Sequence, residues 1–101
     1  LKHGAKAILL KLGSEGSLWV TADDAIFYPA YRGVKAIDTT GAGDAFTAAF
    51  ACAVLHGESI EAAIHQATLA GAIAVTRSGA LRSMPTKKEI EALSQEISTA
   101  G

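Results

Sequence analysis

The chain has 101 residues, half of them apolar, with nine Lys or Arg against ten Asp or Glu and a formal net charge of −1; it is apolar enough for a modest core, in one small domain or part of a larger one, and not for a disordered tail. No basic cluster exceeds Lys87-Lys88, no apolar run reaches the roughly eighteen residues of a membrane span, and no secretory pattern opens the sequence, so neither nucleic acid nor membrane is an expected partner. The single Cys52 has no internal disulfide partner, which suits a reducing, cytoplasmic compartment.

In chain order, Lys2-His3-Gly4-Ala5-Lys6 places a glycine among basic residues, as at a helix C-terminus, with His3 structural. Ala7 to Leu12 is a nearly continuous apolar run, predicted to be a strand buried on both faces of a sheet. Gly13-Ser14-Glu15-Gly16 turns the chain at that strand's carboxyl end, where open α/β sheets bind ligands, although many hairpins carry two glycines at this spacing. Ser17 to Thr21 and Ala25 to Tyr28, split by Ala22-Asp23-Asp24 and closed by Pro29, predict a hairpin. Trp19, Phe27, Tyr28 and Tyr31 are assigned to its packing. Arg32 to Ile37 reads as a further extended stretch, with Val34 and Ile37 facing inward and Arg32 outward.

Asp38-Thr39-Thr40-Gly41-Ala42-Gly43-Asp44 then opens directly into an apolar helix. Glycines let the backbone turn sharply and approach a ligand, and the first helical turn offers unpaired N–H groups and about half a positive charge from the aligned peptide dipoles. Such a turn suits an anion. Asp44 falls inside it, where a carboxylate complements the helix dipole and could accept a proton from a hydroxyl attacking a phosphoryl group. Dipole complementarity alone would equally account for an acid there.

Ala45 to Leu55 is apolar almost all round, predicting a helix buried on most sides. Cys52 reads as a small core residue without an evident activating partner, and His56-Gly57 ends the helix. Ser59 is an N-cap for a second helix with the stripe Ile60, Ala63, Ile64, Ala67, Gly71, Ala74, Val75; His65 falls on its surface. Gly71 inside it suggests close helix contact or room for a ligand. Thr76 to Pro85 is a polar loop with Arg77 and Arg82 as outside charges. Thr86-Lys87-Lys88-Glu89 is a capping box before an amphipathic helix carrying Ile90, Leu93 and Ile97.

The run from Asp38 through Gly43-Asp44 to Ala51 resembles the second signature of the ribokinase-like sugar kinases, the pfkB family, and the likeness extends from Leu9-Leu10-Lys11-Leu12-Gly13 to Ser78-Gly79-Ala80. That resemblance implies a three-layer α/β/α fold of which residues 1–101 are the C-terminal part, the sugar-binding and lid segments preceding it. It implies ATP-dependent phosphorylation of a sugar hydroxyl, ribose foremost, with fructose, 2-keto-3-deoxygluconate and nucleosides as alternatives. A remnant that binds nucleotide without chemistry is a further alternative. Asp44 would be the catalytic, substrate-binding carboxylate and Gly41, Ala42 and Gly43 the anion hole. Lys11, Gly13, Ser14, Gly16, Gly43 and Thr68 would contact the nucleotide, Lys11 replacing the small hydroxyl residue usual in the family. Magnesium would accompany ATP. A monovalent cation such as K+ would be held by the Asp38 carboxylate, the carbonyls of Thr40, Ala74, Arg77 and Gly79, and the Ser83 hydroxyl. The complete enzyme would meet a small-molecule sugar and ATP and could form a homodimer, while this segment alone is expected to be inactive.

Overall fold

The structure, a computed structural model, describes residues 6–77 and 85–100. It has two compact units, Leu1–Tyr31 and Arg32–Gly101.

The first unit is a three-stranded antiparallel sheet in the order β1 (Ala7–Lys11), β2 (Gly16–Thr21), β3 (Ala25–Pro29). A short 3-10 turn, Gly13–Glu15, joins β1 to β2, and the Leu12 amide donates to the Gly16 carbonyl at 2.8 Å. The predicted hairpin is present, with Trp19 opposite Ile26 and Leu18 opposite Phe27. Its turn closes through Asp24, whose carbonyl accepts the Thr21 amide at 2.8 Å and whose carboxylate accepts the Ala25 amide at 2.8 Å. Asp competes for nearby amides in this way, which is why it favours turns.

β1 does not have the two-sided burial expected of it. It lies at one edge of the sheet, and Ile8 and Leu10, on the same face as Leu18 and Phe27, are exposed. A continuous apolar run signals what a strand can bury, and among the described residues of this unit no element covers that face.

The second unit holds α1 (Ala42–Leu55), α2 (Ile60–Ala74) and α3 (Lys87–Ala100). Its core is α2, where Ala63, Ile64, Ala67, Leu69, Ala70, Ala72, Ile73 and Ala74 are buried. The Ser59 hydroxyl accepts the Ala62 amide at 3.1 Å, as an N-cap should. The capping box of α3 is reciprocal: Thr86 N–H donates to Glu89 Oε1 at 2.9 Å and Glu89 N–H to Thr86 Oγ1 at 3.2 Å. Ile90 is buried behind it.

Two expectations fail here. The α1 helix buries only Ala45 and Ala53, and Leu55 is 85% exposed, because α2 is its principal neighbour and one neighbour covers one stripe. In the stretch Arg32 to Ile37, Ile37, expected to face inward, instead points outward at 67% exposure. That stretch is anchored by its backbone instead. Among the described residues no helix is long and apolar enough to cross a membrane.

Candidate anion-binding site

The segment before α1 is fixed by a chain of hydrogen bonds, one pair distant in sequence and the rest local. The amides of Ile37 and Asp38 both donate to the Val75 carbonyl, at 2.6 and 3.0 Å. The Thr40 amide then donates to Asp38 Oδ1 at 2.9 Å, a turn closed by the aspartate side chain. Gly41 follows as the N-cap of α1 in the left-handed region at φ 84°, with no side chain capping the helix, and its carbonyl accepts the Ala45 amide at 2.9 Å. A start capped by glycine leaves the first-turn amides without the side-chain oxygen that Ser, Thr or Asp would supply.

Ala42 is nonetheless engaged by backbone. Its N–H donates to the Thr39 carbonyl at 3.2 Å, so an anion would have to compete for it, while Gly41 and Asp44 N–H meet no acceptor among the described residues. The Asp44 side chain lies in the first turn of α1 and is exposed. Helix dipole, first-turn amides and an exposed carboxylate therefore meet within a few residues, an arrangement able to hold an anion beside a proton acceptor.

The remaining sequence-derived residues are distributed unevenly. Gly43 belongs to α1 and Thr68 to α2. The Thr68 hydroxyl donates to the Ile64 carbonyl at 2.8 Å, which leaves only its oxygen lone pairs for a ligand. Lys11, Gly13, Ser14 and Gly16 lie in the other unit, with Lys11 at the end of β1 and exposed. Asp38, Thr40, Ala74 and Arg77 fall in the helical unit, whereas Gly79, Arg82 and Ser83 lie outside the described residues. The Ala74 carbonyl accepts the Arg77 amide at 3.1 Å. Arg77, expected as an outside charge, pairs with Glu89, whose other oxygen serves the capping box. No feature of the sequence pointed to that pair or to the double acceptor at Val75. Among the described residues no cluster of three or more His, Cys, Asp or Glu side chains is placed to hold a metal ion.

Cys52 also departs from expectation. It is exposed, with His56 Nδ1 3.6 Å from its sulfur. The same nitrogen lies 2.7 Å from the Cys52 carbonyl, an acceptor only, so Nδ1 carries the proton and cannot serve the thiol as a base. The pair lines a cavity of about 340 Å³ between α1, α2 and the start of α3 that reaches Ala45 but not Asp44.

Residues 1–87 match the pfkB family carbohydrate kinase model. The chain is 42% identical over 90 residues to ribokinase of Arabidopsis thaliana, covering 88% of this chain and 24% of that protein. It is 41% identical over 83 residues to deoxyribokinase of Salmonella typhi, covering 82% and 27%. Among solved structures, ribokinase from Thermotoga maritima aligns with a TM-score of 0.87 at 42% identity, over 93% of this chain and 31% of that one. Arabidopsis thaliana ribokinase complexed with ribose and ATP aligns at 0.85 and 41% identity, over 91% and 30%. The chain thus spans about a quarter of the length of these curated relatives. A signature at the start of α1, a matching family model over most of the residues and a shared partial α/β ribokinase-like fold place the chain in the pfkB family of carbohydrate kinases.

Proposed function

We propose that this chain is the segment of a sugar kinase that carries the anion hole, part of the nucleotide site and the proton acceptor, and that the complete protein phosphorylates ribose at its primary hydroxyl. The observation that carries this reading is the exposed Asp44 in the first turn of a helix whose start has no side-chain cap. In that role Asp44 takes the proton of the sugar hydroxyl as its oxygen attacks the γ-phosphoryl group of ATP in line. The amides at Gly41 and Asp44, with those of Ala42 and Gly43 as an anion competes for them, meet the charge on the transferring group. Electrostatic stabilisation of this kind dominates phosphoryl transfer.

Lys11, Gly13, Ser14, Gly16 and Thr68 are assigned to the nucleotide, which arrives with Mg2+; Arabidopsis ribokinase is a relative solved with ribose and ATP, and an Escherichia coli relative is one solved with ATP and Mg2+. Asp38, Thr40, Ala74 and Arg77, with Gly79 and Ser83, are assigned to K+, since hard oxygens drawn mostly from carbonyls suit a large, weakly charged ion. Bound there, the cation would add positive charge beside the anion hole. Ribose leads deoxyribose and 5-dehydro-2-deoxygluconate as acceptor because ribokinases recur among the relatives.

Asp44→Ala in the full-length polypeptide tests the assignment. Turnover should fall about 10³-fold, within the range general-base removal commonly gives, while ATP affinity by titration stays within about twofold, since the lost group contacts the acceptor. Unchanged turnover would rule the role out. The 101-residue chain alone should show no turnover.

A further inference from the structure

The end of α2 holds the candidate anion-binding turn from two sides. Upstream, the Val75 carbonyl accepts the amides of Ile37 and Asp38. A carbonyl at a helix C-terminus lacks an intrahelical donor, and here one neighbouring segment supplies two. Downstream, Gly71 faces the first turn of α1: a Cβ built there would lie 3.6 Å from the Ala42 carbonyl oxygen and 4.0 Å from the Phe46 Cβ. Both the entry to the motif and its first helical turn are therefore referred to one turn of α2.

Thr76 sets the direction of that Val75 carbonyl. Its N–H donates to the Ile73 carbonyl at 3.0 Å and its hydroxyl donates to the same oxygen at 2.6 Å. The Val75–Thr76 peptide cannot swing while both bonds are made. Arg77 N–H, bonded to the Ala74 carbonyl at 3.1 Å, continues the same tight winding. Valine at 76 would keep the shape and remove the hydroxyl, leaving one bond where there were two.

We infer that Thr76 is a positioning residue for phosphoryl transfer. It touches no reacting group and acts through the Val75 carbonyl, which fixes the backbone of Ile37 and Asp38 and hence the turn leading to Gly41 and Asp44. The inference rests on the kinase reading above, and it adds a residue and a route that the motif itself does not contain.

In the full-length polypeptide, Thr76→Val should lower kcat about tenfold, since small displacements of positioned groups have large rate effects, with KM for ATP and for ribose each changed less than about twofold. Thr76→Ser, which restores the hydroxyl, should bring kcat back to within about twofold of the parent. Hydrogen exchange at the Ile37 and Asp38 amides should accelerate in Thr76→Val and not in Thr76→Ser. A residue that only supported the fold would lower the unfolding midpoint without moving kcat per folded molecule. Unchanged kcat in folded Thr76→Val, in a protein whose parent phosphorylates ribose, overturns the inference alone. If the parent phosphorylates no sugar, the kinase reading fails and this inference fails with it.

Discussion

Glycine is required at 41 and at 16 for different reasons. At 41 the backbone sits at φ 84°, a region that costs an ordinary L-residue roughly 1 kcal/mol or more. At 16 the requirement is also spatial, because a Cβ would lie 2.2 Å from the Tyr28 carbonyl oxygen and 2.9 Å from the Ala30 nitrogen. The next residue, Ser17, is tightly packed without a similar justification. It is 1% exposed, and its hydroxyl is buried with no hydrogen-bond partner among the described residues. A buried hydroxyl without a partner costs about 1–3 kcal/mol relative to an apolar group of similar shape. Ser17→Ala in the full-length polypeptide should therefore raise stability by about 1 kcal/mol, read as a higher urea midpoint with an unchanged slope. A lower midpoint would mean that the hydroxyl finds a partner in solution.

Helix ends were legible in the sequence, and helix surroundings were not. Ser59 and the Thr86/Glu89 box are read from short-range chemistry, and both cap in the structure as their residue types require. Asp38 to Asp44 was recognisable for the same reason, since the turn, the glycine cap and the acid are all local. What failed depends on distant residues. The burial of α1 turns on which elements pack against it, and the alanines of a helix do not say how many neighbours it has. The Ile37 and Asp38 amides find Val75 across the whole length of α1 and α2, where no periodicity reaches. Gly71 lies between these cases, because its presence in α2 correctly suggested a close approach of helices, yet the gap to Ala42 and Phe46 is ordinary van der Waals distance for a methyl group. Alanine should thus be accepted there, and it gains about 1 kcal/mol in helix propensity over glycine. Gly71→Ala is expected to raise the thermal midpoint of the full-length polypeptide and to leave its KM for ATP unchanged. A raised KM with intact folding would assign the open space to the nucleotide.

At the scale of the whole molecule, the chain covers about a quarter of the length of its curated relatives, and the proposed reaction needs partners that Asp44 and its neighbouring amides do not themselves supply. In the proposed reading, Asp44 can take the acceptor's proton and the amides around it can stabilise charge on a phosphoryl group only when a sugar and a nucleotide are held in line with them, because positioning supplies much of the rate. The likeness to Thermotoga maritima ribokinase, at a TM-score of 0.87 and 42% identity, makes that protein a host for a direct test. A chimera should be built in which this chain replaces the matched part of the host. Asp44, Gly41 and Gly43 then enter a scaffold that supplies the remaining residues, and the chimera is expected to phosphorylate ribose at a rate within about 10²-fold of the host, the loss reflecting small misplacements at the join. Asp44→Asn in the chimera should remove about 10³-fold of that activity, as loss of a general base does, without changing its unfolding midpoint by more than a degree or two. The paired comparison separates folding from chemistry. A chimera that folds and binds ATP, yet whose residual turnover is the same with Asp or Asn at 44, would mean that the carboxylate at the start of α1 does not accept the sugar's proton.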